Sequence, residues 1–156
     1  MNWYAKSVKI HRMKQEQLSL QLISGEAIVS ALPIFSRFYP SISKKNLLHL
    51  LREMSQQGYQ CALASCEEEY IGVIGIWIQT KLYVGKHIEY DNVYIVPEHR
   101  GQGVGRTLLA FVEQYAREQN CIAAELTCDI DEEESKDFWE KQGFDIIGLR
   151  YQKMVI

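Results

Sequence analysis

The sequence lacks any apolar run approaching the ~20 residues of a membrane-spanning helix, so no membrane association is predicted. Residues 1–14 also lack the apolar core of a secretion signal, so we expect a cytoplasmic location. There is no excess of basic charge, since 17 Lys and Arg stand against 20 Asp and Glu, for a formal net charge of −3. A nucleic-acid-binding domain normally carries a basic face, so a nucleic-acid partner is disfavoured.

Cysteine is also sparse, with four residues in the chain and no CxxC or Cys/His spacing of a metal site. We therefore predict no metal, and expect the cysteines to be small buried thiols in a reducing compartment. Internal repeats, low-complexity tracts and linkers are absent. With 156 residues, of which 47% are hydrophobic, the sequence predicts one globular domain over residues 1–156.

Apolar residues recur with a period of two in some segments and of about 3.6 in others. Pro33 is expected to end or kink the first helix, and Asp131 to cap the last. The predicted strands cover 7–13, 18–23, 59–65, 70–80, 87–96 and 122–128, with one or two more in 144–155. The predicted helices cover 25–38, the segment after the cap at Ser43, the segment from Val104 onward, and 131–141. This order predicts a mixed α/β sheet with helices on both faces.

Residues 92–118 carry the most informative pattern in the chain. An apolar strand, 93–96, is followed by Pro97, a turn with alternating glycines and an amphipathic helix. Glycines allow positive φ and close backbone approach, and the first N–H groups of a helix attract anions. Arg100 and Arg106 flank the turn with charge that can pair with phosphate. The segment therefore predicts a phosphate-binding loop.

The glycine spacing distinguishes between the known phosphate loops. GxxxxGK[ST] fails because three residues separate Gly101 from Gly105, and GxGxxG fails because Leu108 stands where a third glycine is needed. A nucleotide-binding protein is therefore disfavoured. The pattern [RQ]xxGxG does fit, and FWEKQGF at 138–144 follows it at a suitable distance. The chain thus resembles the GNAT superfamily of acetyl-CoA-dependent N-acyltransferases over roughly residues 59–155.

The resemblance implies the GNAT fold, a central and mostly antiparallel mixed sheet, with acetyl-CoA as cosubstrate. It also implies which residues bind that cosubstrate. Those expected to hold the pyrophosphate are Arg100, Gly101, Gln102, Gly103, Val104, Gly105 and Arg106. Ile95 and Val96 would align the pantetheine arm as an added strand, and their backbone N–H groups would stabilise the oxyanion.

The acceptor amine must lose a proton before it attacks a thioester. An alkyl amine with a pKa near 10.4 is mostly protonated at pH 7, so a base helps. The family often places a carboxylate at the start of the strand before the loop, and the alignment puts Asp91 there. Glu89 lies two residues earlier and would share its face of the strand. Asp91 is our first candidate for the base and Glu89 the second. The alternatives for Asp91 are a role in substrate binding or that of a solvated charge at the end of a strand.

The chain departs from the family pattern where a tyrosine commonly protonates the leaving thiolate. Trp139 occupies that position, and an indole N–H is a donor but not a useful acid. Core packing is the favoured interpretation of Trp139, which leaves the general acid unassigned. The acidic run 129–134 fits a helix N-terminus well, and a cationic substrate is the alternative.

We therefore expect an N-acetyltransferase that acts on a primary amine of a small molecule or protein by direct attack. The alternative is a non-catalytic acyl-CoA-binding or sensing module of the same fold. The family resemblance also makes a homodimer an expectation, although no residue of this sequence locates an interface.

Overall fold

The computed structural model describes residues 18–155. Within that range it has five strands, four α-helices and two short 3₁₀ segments. The strands are β1 Leu18–Ile23, β2 Gln60–Cys66, β3 Glu69–Lys81, β4 Gly85–Ile95 and β5 Ala123–Leu126. The helices are α1 Leu32–Phe38, α2 Lys44–Gln56, α3 Val104–Glu118 and α4 Glu133–Lys141, with 3₁₀ segments at Gly25–Ala31 and Pro97–His99. None of these helices is long and apolar enough to cross a bilayer.

The strands form one sheet in the order β1-β2-β3-β4-β5. The first three pairings are antiparallel, and β4 and β5 pair in parallel. The parallel pair is joined by α3, as a parallel pair requires a crossover connection. The predicted mixed, mostly antiparallel sheet is confirmed.

Both faces of the sheet are covered. Every residue from 71 to 76 in β3 is buried, which a strand shows only when neither face meets solvent. A Cβ placed on Gly72 would lie 3.4 Å from Leu108 of α3. One on Gly75, on the opposite face, would lie 1.9 Å from the Tyr59 hydroxyl. The core therefore extends on both sides of β3.

The predicted hairpin and the predicted helix cap are both found. β2 and β3 pair across a turn in which Glu67 and Glu68 have φ of 49° and 69°, the positive values that tight hairpin turns favour. Ser43 precedes α2, and its Oγ accepts a hydrogen bond of 3.3 Å from the Asn46 backbone N–H. Interactions between residues close together in the sequence determine both features.

Two predicted helix boundaries were wrong. Pro33 does not end a helix but lies in the first turn of α1, where its missing N–H has no partner to lose. The last helix begins at Glu133 rather than 131, and its N-cap residue is Glu132, whose side chain makes no capping bond. Asp131 therefore does not cap it.

The closing strands predicted in 144–155 do not form, since the segment has no strand hydrogen bonding. Residues 145–155 are exposed, including apolar Ile146, Ile147 and Leu149. Alternating apolar residues form a strand only when a neighbouring edge accepts them. The strand predicted at 7–13 lies outside the described residues.

Candidate active site

The sheet opens between β4 and β5. Their parallel pairing ends at Tyr90 and Leu126, although β4 continues to Ile95. In the same region the register between β4 and β3 shifts, and Asn92 has a φ of 55°. Such a bulge bends a strand and strengthens its local twist. Beyond Tyr90, the edge of β4 that faces β5 is thus free of pairing among the described residues.

A cavity of about 320 Å³ occupies this opening. Its walls come from β4, from the end of α1, from the segment after β5, from α4 and from the carboxyl-terminal segment. The described lining residues are Phe38, Tyr39, Glu89, Tyr90, Asp91, Asn92, Val93, Leu126, Thr127, Cys128, Asp129, Glu132, Ser135, Trp139 and Arg150. Four of these are carboxylates and one is a cation, so the lining is strongly acidic.

Both predicted carboxylates line the cavity. Asp91 is half-buried, and its Oδ2 accepts a hydrogen bond of 3.3 Å from the Trp77 indole N–H. Glu89 lies 3.6 Å from the Lys81 ammonium, and 23% of its side chain is exposed. The two residues thus have different partners, and the ion pair belongs to Glu89.

The Lys81 ammonium is shared between two carboxylates. It lies closer to Glu125, at 3.1 Å, and the hydrogen bond to Glu125 raises the pKa of Lys81. Burial opposes ionisation of Glu125, but hydrogen bonds from Tyr83 and Lys81 lower the pKa of that carboxyl overall. Since Lys81 is drawn mainly to Glu125, it neutralises Glu89 less completely.

The glycine loop leads directly into α3. Gly101 and Gly103 have φ of 69° and 87°, in the region that L side chains avoid, and Gly103 is the N-cap residue of α3. No heavy atom lies within 4 Å of a Cβ placed on either one. The backbone conformation, rather than a lack of space, requires glycine here. As at every helix start, the first N–H groups of α3 have no partner within the helix.

Gly105, the third glycine, has a different role. It lies in the first turn of α3, and a Cβ there would meet Ile95 and Phe138 at 3.6 and 3.9 Å, which are ordinary contacts. Val104 beside it is buried in the core. Two glycines of the motif are therefore required by their positive φ, whereas the third lies where α3 packs against its neighbours.

The flanking polar side chains hold the loop itself. The Arg100 Nε donates to the Ile95 carbonyl at 2.9 Å, and the guanidinium lies 5.7 Å from the centre of the Tyr94 ring. Gln102 donates to the Glu98 carbonyl at 2.9 Å. Arg106 is exposed beside the helix start. Both flanking arginines are exposed, and Arg100 is the one that bonds back to the strand before the loop.

An ion pair connects the loop to α1. The Arg37 guanidinium donates to both oxygens of Glu98, at 2.6 and 2.8 Å. The backbone N–H of Glu98 and the Arg37 guanidinium together lower the pKa of the Glu98 carboxyl. The loop and the cavity wall formed by α1 are therefore linked.

Trp139 packs as predicted. It is 7% exposed and contacts the rings of Phe138, Phe144 and Tyr90. Burial raises the pKa of the Tyr90 hydroxyl beside it. Two members of this aromatic cluster, Trp139 of α4 and Tyr90 of β4, line the cavity.

The sequence analysis missed Tyr39, Asn92, Trp77 and Arg150. Asn92 is the one with a usable signal, because asparagine is depleted from strand interiors but enriched at positive φ. Tyr39 and Arg150 are 52 or more positions from Asp91 in sequence, and no local pattern connects them with it. Tertiary contact alone brings them together.

The model of the acetyltransferase (GNAT) family matches residues 28–144. Aminoalkylphosphonate N-acetyltransferase of Salmonella typhimurium is 29% identical over 92 residues, which are 58% of this chain and 60% of that enzyme. The aligned region thus covers less than two thirds of this curated relative.

Solved structures show the same fold at low identity. Ribosomal-protein-alanine N-acetyltransferase from Brucella melitensis superposes with a TM-score of 0.67 at 14% identity, covering 89% of this chain and 97% of that one. AAC(6')-Iy, solved with the bisubstrate analog CoA-S-monomethyl-acetylneamine, gives 0.74 at 14% identity, covering 88% and 98%.

Proposed function

This chain belongs to the acetyltransferase (GNAT) family, and on that premise we propose that it transfers an acetyl group from acetyl-CoA to an amine. The observation that carries the proposal is the acidic cavity where β4 parts from β5, on the strand that leads into the glycine loop and α3. With acetyl-CoA laid along β4 from the loop towards the opening, donor and acceptor would meet at the cavity, as direct attack requires.

The cosubstrate would bind along β4 and the loop. The proposed pyrophosphate site is the backbone from Arg100 to Arg106, which combines free N–H groups at the α3 start with two positive-φ glycines. The positively charged side chain of Arg106 would pair with the phosphate. The edge of β4 at Ile95 would pair with a pantetheine amide. The Val96 N–H, expected from the sequence to serve the pantetheine or the oxyanion, instead donates to the Ile71 carbonyl at 3.0 Å, so neither role is proposed for it.

The acceptor would be a positively charged amine. Four carboxylates of the lining, Glu89, Asp91, Asp129 and Glu132, favour an ammonium group over a neutral or anionic molecule. Asp91 is the proposed base, because it lines the cavity without a cationic partner among the described residues. Glu89 would assist in binding. The attacking amine loses its proton towards Asp91, and the thiolate of CoA leaves and is protonated.

The names of the relatives suggest which amines to test. One is an aminoalkylphosphonate acetyltransferase, and another is solved with an analog built on acetylneamine. Both would place a small molecule in the acceptor site, and Arg150 on the cavity wall offers a phosphonate a cationic partner. A protein acceptor is the second class, and it requires a peptide panel.

The direct test is thiol release from acetyl-CoA by the purified protein. The panel holds aminoalkylphosphonates, aminoglycosides, polyamines and peptides with a free amino terminus, and acetyl-CoA binding is measured by calorimetry. Amine-dependent release supports the transferase. Acetyl-CoA binding with no release across the panel would leave a binding module instead, and no binding would reject the loop assignment.

Two further proposals concern the cellular location and the oligomeric state. We propose a cytoplasmic location, since the four cysteines are free thiols and suit a reducing compartment. We also propose a homodimer by analogy with the family, to be measured by light scattering of the purified protein.

A further inference from the structure

Three side chains form one hydrogen-bonded chain from the core to the cavity. The Tyr59 hydroxyl donates to Asn92 Oδ1 at 2.6 Å, and Asn92 Nδ2 donates to the Tyr39 hydroxyl oxygen at 2.7 Å. Tyr59 is fully buried, whereas Tyr39 and Asn92 are half-buried and line the cavity. The chain is thus anchored in the core at one end and reaches the proposed acceptor site at the other.

The bulge in β4 places the middle member of this chain. Asn92 has a φ of 55°, a conformation that asparagine tolerates better than most residues. The neighbouring strand leaves room for the Tyr59 hydroxyl, because a Cβ on Gly75 would lie 1.9 Å from it. Strand geometry and the missing side chain at Gly75 together hold the amide between the two tyrosines.

The direction of the hydrogen bonds follows from burial. Asn92 Oδ1 is the strong acceptor that the buried Tyr59 proton has within reach, and a buried hydroxyl proton without an acceptor would be costly. The amide nitrogen then faces Tyr39 and donates to its oxygen. Tyr39 consequently receives a hydrogen bond, and its own proton remains available to the cavity.

We propose that the Tyr39 hydroxyl donates a hydrogen bond to the acetyl oxygen as the amine attacks, and that Asn92 and Tyr59 are positioning residues for it. This inference rests on the proposed function. When the amine nitrogen bonds to the carbonyl carbon, the carbonyl π electrons move to oxygen. When the C–S bond breaks, the electron pair leaves with sulfur. A fixed donor at that oxygen stabilises the charge that develops there.

A donor of this kind must keep its proton. Burial raises the pKa of the Tyr39 hydroxyl, the hydrogen bond from Asn92 opposes that shift, and the negative charge of Asp91 adds to it. The net effect is a phenol that stays protonated across the working pH range. Tyr39 therefore acts as a neutral hydrogen-bond donor, and the thiolate takes its proton from elsewhere.

The first test compares two Tyr→Phe variants. Tyr39→Phe removes the donor and is expected to lower kcat at least about 10-fold while KM for acetyl-CoA changes little, the signature of an interaction made in the transition state. Tyr115→Phe is the matched control, since it also removes a half-buried tyrosine hydroxyl bonded to a side-chain amide, in this case by donating to Gln60 Oε1 at 2.8 Å. Its kcat should stay within about twofold of wild type.

The second test examines the positioning residues. Asn92→Gly keeps the positive φ but removes the amide, so kcat should fall by a factor similar to that for Tyr39→Phe. The double variant should be no slower than the worse single variant, because both changes remove the same oriented donor. Multiplicative losses in the double variant would reject the relay.

The outcomes separate this inference from the function on which it rests. A wild-type protein that releases no thiol with any amine overturns the proposed function, and with it the role of Tyr39. Wild-type turnover combined with undiminished kcat in folded Tyr39→Phe overturns the Tyr39 assignment alone. Circular dichroism and acetyl-CoA binding establish that each variant is folded.

Discussion

The Trp77 indole N–H donates to Asp91 Oδ2 across two antiparallel strands, at 3.3 Å. This contact orients the carboxylate at the mouth of the opening between β4 and β5. An indole donor carries no charge and does not neutralise the carboxylate as a lysine would. Asp91 is therefore held in place and remains available to a cationic ligand.

We predict that Asp91→Asn lowers turnover with the amine about 10²-fold or more, if Asp91 is the base. The substituted amide keeps an oxygen that can accept from Trp77, so the fold should be retained. The loss should be greatest at low pH, where neutral amine is scarce. Rates measured from roughly pH 6 to 9 check this. A wild-type to variant rate ratio that is flat across pH would exclude Asp91 as the base. Glu89→Gln is the control at the second candidate carboxylate.

The glycine loop gives a prediction about binding. Gly103→Asp places a negative side chain at the start of α3 and should abolish acetyl-CoA binding in calorimetry. No atom lies within 4 Å of the new Cβ, so steric overlap is not the cause. Gly103→Ala adds only the backbone strain of a φ of 87°, which should lower the free energy of unfolding by about 1–2 kcal/mol. Undiminished affinity in a folded Gly103→Asp protein would refute the pyrophosphate loop.

Gly75 gives a prediction about stability. Gly75→Ala places a Cβ 1.9 Å from the Tyr59 hydroxyl and 2.5 Å from the Asp91 carbonyl oxygen. Because one of these atoms is backbone, relief requires the strands to move, and the free energy of unfolding should fall by roughly 3 kcal/mol. Urea denaturation measures the change. Gly148→Ala is the control, with no atom within 4 Å and an expected change below about 0.5 kcal/mol.

We predict that the buried Cys61 thiol makes the free energy of unfolding fall at alkaline pH. Burial raises the pKa of its thiol to about 12, above the ordinary 9.0. The folded state therefore holds this proton more tightly than the unfolded state, so the contribution is complete below pH 9 and is lost as pH rises towards 12. Denaturant midpoints measured through that window should fall more steeply in the wild type than in Cys61→Ala. Equal slopes would show that the Cys61 thiol does not titrate differently on folding.

Sequence predicted those parts of the fold that neighbouring residues control. Ser43 caps α2 with its own side chain, and the acidic turn after β2 closes the hairpin at Glu67 and Glu68. Pro33 shows the limit of such reasoning, because proline both ends helices and starts them. Which effect operates depended on where the preceding 3₁₀ segment stopped.

The predicted closing strands failed for a related reason. The apolar alternation in 144–155 specifies two faces but does not specify a partner edge. In the structure Arg150 reaches Thr127 at 3.1 Å, yet no ladder follows. Pairing between segments far apart in the chain is a property of the whole fold.

The sequence by itself determined the glycine loop between β4 and α3, because its strand, proline turn, glycines and helix start are contiguous and their backbone preferences are local. The tertiary structure alone decided the cavity that we propose for the acceptor. Tyr39, Asn92 and Arg150 come from separate elements, and they meet only where a bulge turns β4 away from β5. Local conformational preference is encoded residue by residue, whereas burial, hydrogen-bond partners and charge environment exist only once distant segments have packed.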